Sequence, residues 1–206
     1  VDKASFYQTL ARIYQKQGNY KEAITSELKC GKVLKSIHDD EWFSIHLMTL
    51  SQYYMINNQL NDAKACIEDY LKMPSADKPI SIALTKLQLA HIYSLSKDSL
   101  NSFRYAKESV AAAKLSNNNE EIIEAEAFLS QLYYQNYNYN EAELCMANAL
   151  EKMKDNIHNH IYHMTSEQKQ RLWDKYEQHF LLYRDIVDKS NRTPTLMEKL
   201  YNNVLF

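Results

Sequence analysis

Leucines at positions 10, 50, 89 and 129 each stand four residues before a tyrosine, at 14, 54, 93 and 133. Residues four apart share one face of an α-helix, so each Leu–Tyr couple predicts a helix with one apolar stripe. A small residue follows each leucine: Ala11, Ser51, Ala90 and Ser130. Nine residues past each tyrosine stands another: Ala23, Ala63, Ser102 and Ala142. The tyrosines step by 40, 39 and 40 residues. Between the two small positions run Gly18-Asn19, Asn57-Asn58, Lys97-Asp98 and Asn136 to Asn138, where Gly and Asn suit the left-handed backbone that ends a helix.

The unit implied is an antiparallel helix pair that crosses closely at the small residues. One such pair cannot bury its apolar face alone, whereas stacked pairs share a core. The pattern therefore predicts an all-α solenoid of about four helix pairs over residues 1–154, with repeats near 4–37, 44–73, 80–115 and 120–154. Tyr54 and Tyr93 are expected to pack their rings between helices of the interior repeats.

After about Lys154 the repeat fades, and residues 155–206 form a separate segment. Thr165 and Gln168 have the spacing of a capping box. Leu172, Tyr176, Phe180, Tyr183 and Val187 then follow in three- and four-residue steps, which predicts a long amphipathic helix that caps the array. A further helix start is expected at Thr193-Pro194. The apolar ending Val204, Leu205 and Phe206 suggests a piece of a longer protein.

Composition narrows the class. Two glycines and three prolines are too few for a turn-rich β protein or long linkers. A net charge of −2 speaks against a general nucleic-acid binder. Nothing in the sequence reads as a membrane span or a signal peptide, which points to a cytoplasmic protein. Cys30, Cys66 and Cys145 are widely spaced and odd in number, so they read as reduced, packing cysteines. Charge is uneven: residues 115–151 hold seven Glu and no Lys or Arg, whereas residues 1–37 hold seven Lys or Arg and three acids. Solvated faces are the simplest account.

Leu-small-x-x-Tyr, a Gly or Asn turn, an aromatic and then Ala resembles the tetratricopeptide repeat. Residues 7–23 (YQTLARIYQKQGNYKEA) carry the pattern best, and the third copy, with Ser99 and Ser102, carries it least. The resemblance implies that the solenoid is right-handed; the family period is shorter than the one seen here, so longer helices or loops are expected. The tail resembles, over roughly its last 65 residues, the segment that joins bacterial tetratricopeptide arrays to a CHAT domain, a caspase-like cysteine peptidase. The resemblance rests on Tyr139 to Glu143, Met164 to Trp173 and Tyr201 to Phe206. It implies a peptidase beyond residue 206, and no catalytic residue carries over.

By the same resemblance, first-helix side chains line the groove that binds a protein or peptide: Gln8, Arg12 and Gln15; Met48, Gln52 and Met55; Leu87, His91 and Ser94; Ala127, Gln131 and Tyr134. Arg12, Gln52, His91, Gln131 and Tyr134 are its expected central line. The expected function is a protein–protein interaction scaffold, regulatory or substrate-recruiting for that peptidase. The alternative is the peptide-binding sensor of a bacterial transcriptional or signalling regulator.

Catalytic chemistry finds little support. HNHIYH offers His158, His160 and His163, but in a helix His158 and His160 do not share a face, and no cysteine pair joins them. A phosphate-cradling loop is excluded with only Gly18 and Gly31. No catalytic residue, cofactor or metal site is expected.

Overall fold

The computed structural model describes residues 2–160 and 164–190. Among the described residues there are nine α-helices and no strand. In order these are α1 (Asp2–Lys16), α2 (Tyr20–Ser36), α3 (Asp40–Ile56), α4 (Leu60–Tyr70), α5 (Pro79–Leu95), α6 (Ser99–Ser116), α7 (Asn119–Gln135), α8 (Tyr139–His160) and α9 (Ser166–Ser190). A 3-10 turn, Pro74–Asp77, precedes α5. Four helix pairs and a long final helix match the architecture read from the spacing.

The turn inside each pair is the same object four times. The residue four past the repeat tyrosine has positive φ in every copy: Gly18 at 76°, Asn58 at 59°, Lys97 at 62° and Tyr137 at 62°. The next N–H donates back to the tyrosine carbonyl at 2.9, 2.8, 2.9 and 3.0 Å. The left-handed residue donates to the carbonyl after the tyrosine, at 3.0 Å in each copy. This doubled closure is the Schellman motif, and it holds even where lysine or tyrosine takes the place that glycine prefers.

The eight small residues behave as the sequence predicts. Ala11, Ala23, Ser51, Ala63, Ala90, Ser102, Ser130 and Ala142 are all fully buried. The alternation of Ser with Ala adds a bond that spacing alone does not reveal. Ser51 Oγ donates to the Ala63 carbonyl (3.0 Å), Ser102 Oγ to Ala90 (2.9 Å) and Ser130 Oγ to Ala142 (2.6 Å). Each hydroxyl crosses from one helix of a pair to the other. The first pair, Ala11 with Ala23, lacks the hydroxyl and closes by packing alone.

The chain divides into two compact units, Val1–Tyr105 and Ala106–Phe206, and the division falls inside α6. In the first unit α1 to α5 pack in sequence order. Its interior is a series of small clusters, such as Ala11, Ile24, Leu50 and Tyr53, then Ala63, Ile67, Leu89 and Ile92. Tyr54 and Tyr93 are half-buried rather than enclosed, whereas Tyr53, beside the repeat position, is buried. Tyr93 stacks on Tyr105 at 5.3 Å, and Lys64 Nζ lies 5.3 Å from its ring centre.

In the second unit α7, α8 and α9 share one core of Ile123, Met146, Leu150, Met153, Tyr176, Tyr183 and Ile186. The expected capping box is formed: Thr165 N–H donates to Gln168 Oε1 (2.8 Å) and Gln168 N–H to Thr165 Oγ1 (3.3 Å). The expected stripe on α9 faces this core, with Tyr176, Tyr183 and Val187 buried and Leu172 and Phe180 packed at its margin. Thr193-Pro194, His163 and Val204 to Phe206 lie outside the described residues.

Candidate functional site

The expected groove residues fall at one register of the first helices. Arg12, Gln52 and Gln131 are exposed, while His91 and Tyr134 are half-buried. Each position two before the repeat tyrosine directly follows a buried small residue, and one helical step of about 100° turns it off the pair interface. In the first unit α1, α3 and α5 carry Arg12, Gln52 and His91. Arg12 bears electrostatically on Tyr53, whose hydroxyl lies 3.5 Å from Gln15 Oε1. Burial pushes the His91 imidazole down to about 4, so at neutral pH it is an uncharged hydrogen-bonding group. In the second unit α7 carries Gln131 and Tyr134 on one face, and Tyr134 meets Tyr139 edge-on at 5.7 Å.

The most unusual chemistry lies elsewhere in the first unit. Glu27 is fully buried, and His46 is 4% exposed. His46 Nδ1 lies 2.9 Å from Glu27 Oε1, while Glu27 Oε2 is buried without a hydrogen-bond partner. One helical turn along α2, buried Cys30 completes the group, with its thiol pushed up to about 11 by burial and by the Glu27 charge. The imidazole fits because residue 31 is glycine: a Cβ there would lie 2.3 Å from His46 Nε2 and 2.7 Å from Cε1. A glycine inside a helix costs about 1 kcal/mol relative to alanine, so the ring accounts for its presence. The three ligand-type residues span two helices and form no sequence motif. The signal open to sequence reasoning was the mid-helix glycine in a chain that has only two.

The acidic stretch is less solvated than its composition suggests. Glu126 is 2% exposed, with Lys114 Nζ at 2.8 Å and Asn148 Nδ2 at 3.4 Å from its Oε1. Burial raises the Glu124 carboxyl, and burial together with the Glu124 charge raises that of Glu121. Glu120 pairs with Lys175 of α9.

No family model matches the chain, and no curated protein does. Solved structures do. The BtubC (BKLC) protein of P. vanneervenii superposes with a TM-score of 0.66 at 16% identity, covering 90% of this chain and 72% of that one. A Podosopora anserina protein named for the kinesin light chain, with nearly identical TPR-like repeats, superposes at 0.57 with 18% identity, covering 92% and 96%. A second structure of those repeats gives 0.53 at 16%, covering 92% and 97%. The fold is a tetratricopeptide-like helical repeat. At such identities the likeness concerns the fold, and the period near 40 is met here by repeat helices of up to 22 residues, in α8. Within this tetratricopeptide-like frame, the small-residue crossings and the recurrent turn are the structural counterpart of the family pattern. No helix among the described residues is long and apolar enough to cross a membrane.

Proposed function

We propose that this chain is a protein–protein interaction module that binds an extended or helical peptide segment of its partner through the first-helix register, which holds Arg12, Gln52 and His91 in the first unit and Gln131 and Tyr134 in the second. The observation that carries the reading is the repetition of position. Three of the five are exposed and polar although the residue just before each is fully buried. Side-chain amides and a neutral imidazole can donate to or accept from a peptide backbone, and Tyr134 adds a rigid aromatic surface. The resemblance of residues 139–206 to the junction before caspase-like peptidases supports the narrower part: the module regulates, or recruits substrate for, such a peptidase in a bacterial cytoplasm.

Panning a random peptide library against the full chain tests this. Enriched peptides are expected to bind Gln52→Ala/Gln131→Ala at least about tenfold more weakly, while its melting stays near wild type because exposed substitutions shift stability by less than about 0.5 kcal/mol. Peptides that bind the double variant unchanged, but lose affinity on charge reversal at Glu120 and Glu121, place recognition on the acidic face and overturn the assignment.

A further inference from the structure

We propose that Glu27, Cys30 and His46 form a binding site for one divalent cation of the zinc class. The carboxylate oxygen, the thiol sulfur and an imidazole nitrogen lie within 4.8 Å of one another, and all three residues are buried. Tetrahedral zinc with bonds of about 2.0–2.3 Å places its ligand atoms about 3.3–3.7 Å apart. The Glu27–His46 pair, at 2.9 Å, must open by about 0.4 Å, and no separation within the trio has to close by more than about 1.5 Å. Sulfur, nitrogen and oxygen donors together suit a borderline ion such as Zn²⁺ and not the hard, oxygen-seeking Mg²⁺ or Ca²⁺.

The enclosed carboxylate of Glu27 points to a cation. Glu27 Oε2 is enclosed and takes no hydrogen bond, an arrangement that usually costs about 1–3 kcal/mol. This oxygen can make the carboxylate bidentate or hold a water in the fourth position. On coordination the thiol gives up its proton and the imidazole binds through a ring nitrogen that carries none. A carboxylate and a thiolate then face the two positive charges of the ion. Gly31 leaves the space in which the ring sits. Access exists from two sides: a cleft of about 310 Å³ reaches Gly31 and His46, and a hollow of about 110 Å³ reaches Cys30.

The full chain, stripped with a chelator, is titrated with Co²⁺ and then with Zn²⁺. One Co²⁺ per chain is expected, with a thiolate-to-cobalt charge-transfer band and the strong visible bands of a tetrahedral ion, all removed by Zn²⁺. Cys30→Ser should abolish the charge-transfer band. His46→Gln should weaken binding at least tenfold, since even outer partners of a metal ligand carry about 10–100-fold. Cys66→Ser, Cys145→Ser and His158→Gln should leave spectrum and affinity unchanged. Sub-stoichiometric uptake, a spectrum without the thiolate band, or a band that survives Cys30→Ser overturns the site. If Cys30→Ser does not fold, the wild-type band still reports a thiolate ligand, and its survival in the Cys66→Ser and Cys145→Ser chains assigns that ligand to Cys30 by elimination.

Discussion

Each unit buries one glutamate beside a cysteine, and the two carboxylates are answered in opposite ways. Glu126 in the second unit receives Lys114, whose side chain is 55% exposed, so the countercharge comes from solvent. Glu27 in the first unit receives His46, which is itself buried. An ammonium has three donors and no lone pair, while an imidazole nitrogen can surrender its proton and bind a cation. Cys145 stands beside Glu126, its thiol pushed up to about 12 by burial and then by the Glu126 charge; Cys30 stands beside Glu27 with its thiol at about 11. The environments of the two cysteines are alike. The identity of the third residue separates a structural ion pair from a ligand set.

Gly31→Ala attacks this contrast most directly. The new Cβ would meet three ring atoms of His46 at 2.3–2.9 Å, so the ring must leave and Glu27 stays buried without its partner. Breaking a buried pair costs about 3–5 kcal/mol, offset by about 1 kcal/mol of better helix propensity. Urea midpoints should therefore fall by about 2–4 kcal/mol in stability. Lys114→Met, which removes a half-exposed partner, should cost only about 1–2 kcal/mol. A Gly31→Ala chain more stable than wild type means that the ring does not sit against α2.

The fold was legible because a tetratricopeptide-like array repeats its instructions. Leu, a small residue, Tyr and a second small residue recur at fixed spacing, and chance does not keep four registers aligned. What the spacing could not show was depth. Tyr54 and Tyr93 hold the repeat position yet remain half-buried, while Tyr53, beside the pattern, is enclosed. Likewise, Ser51, Ser102 and Ser130 read as small, and only the folded pair shows their hydroxyls reaching across to a carbonyl. The Glu27–Cys30–His46 trio was illegible because its members sit on two helices with a spacing that belongs to no motif.

Acid offers a second comparison between the units. Burial pushes His91 in the first unit down to about 4 and lowers His179 in the second. An unfolded histidine with a pKa near 6.5 accepts a proton that the folded one refuses. The stability His91 contributes is thus complete above about pH 6.5 and is lost as the pH falls toward about 4, and that of His179 falls in the same direction as the pH drops below about 6.5. Melting temperature against pH should drop less steeply in His91→Gln than in wild type, and His179→Gln should flatten it to a smaller extent. Curves that run parallel in all three chains would show that neither ring is sheltered from protonation.

The smallest effect tests where the units agree. Lys97 and Tyr137 occupy the same left-handed turn position, both at φ 62°, that Gly18 fills in the first copy. A residue with a Cβ pays about 1–2 kcal/mol to be there, and glycine does not. Glycine also gives the unfolded chain more freedom, which returns part of that gain. Lys97→Gly is therefore expected to stabilise by about 0.5–1 kcal/mol, read as a shift in urea midpoint. Tyr137→Gly should gain less, because its ring, though 79% exposed, meets Tyr139 edge-on at 6.4 Å. The chain with both changes should gain the sum, since each turn closes through its own two hydrogen bonds. A loss of stability in Lys97→Gly would show that the lysine side chain holds the turn, which would end the equivalence of the four copies.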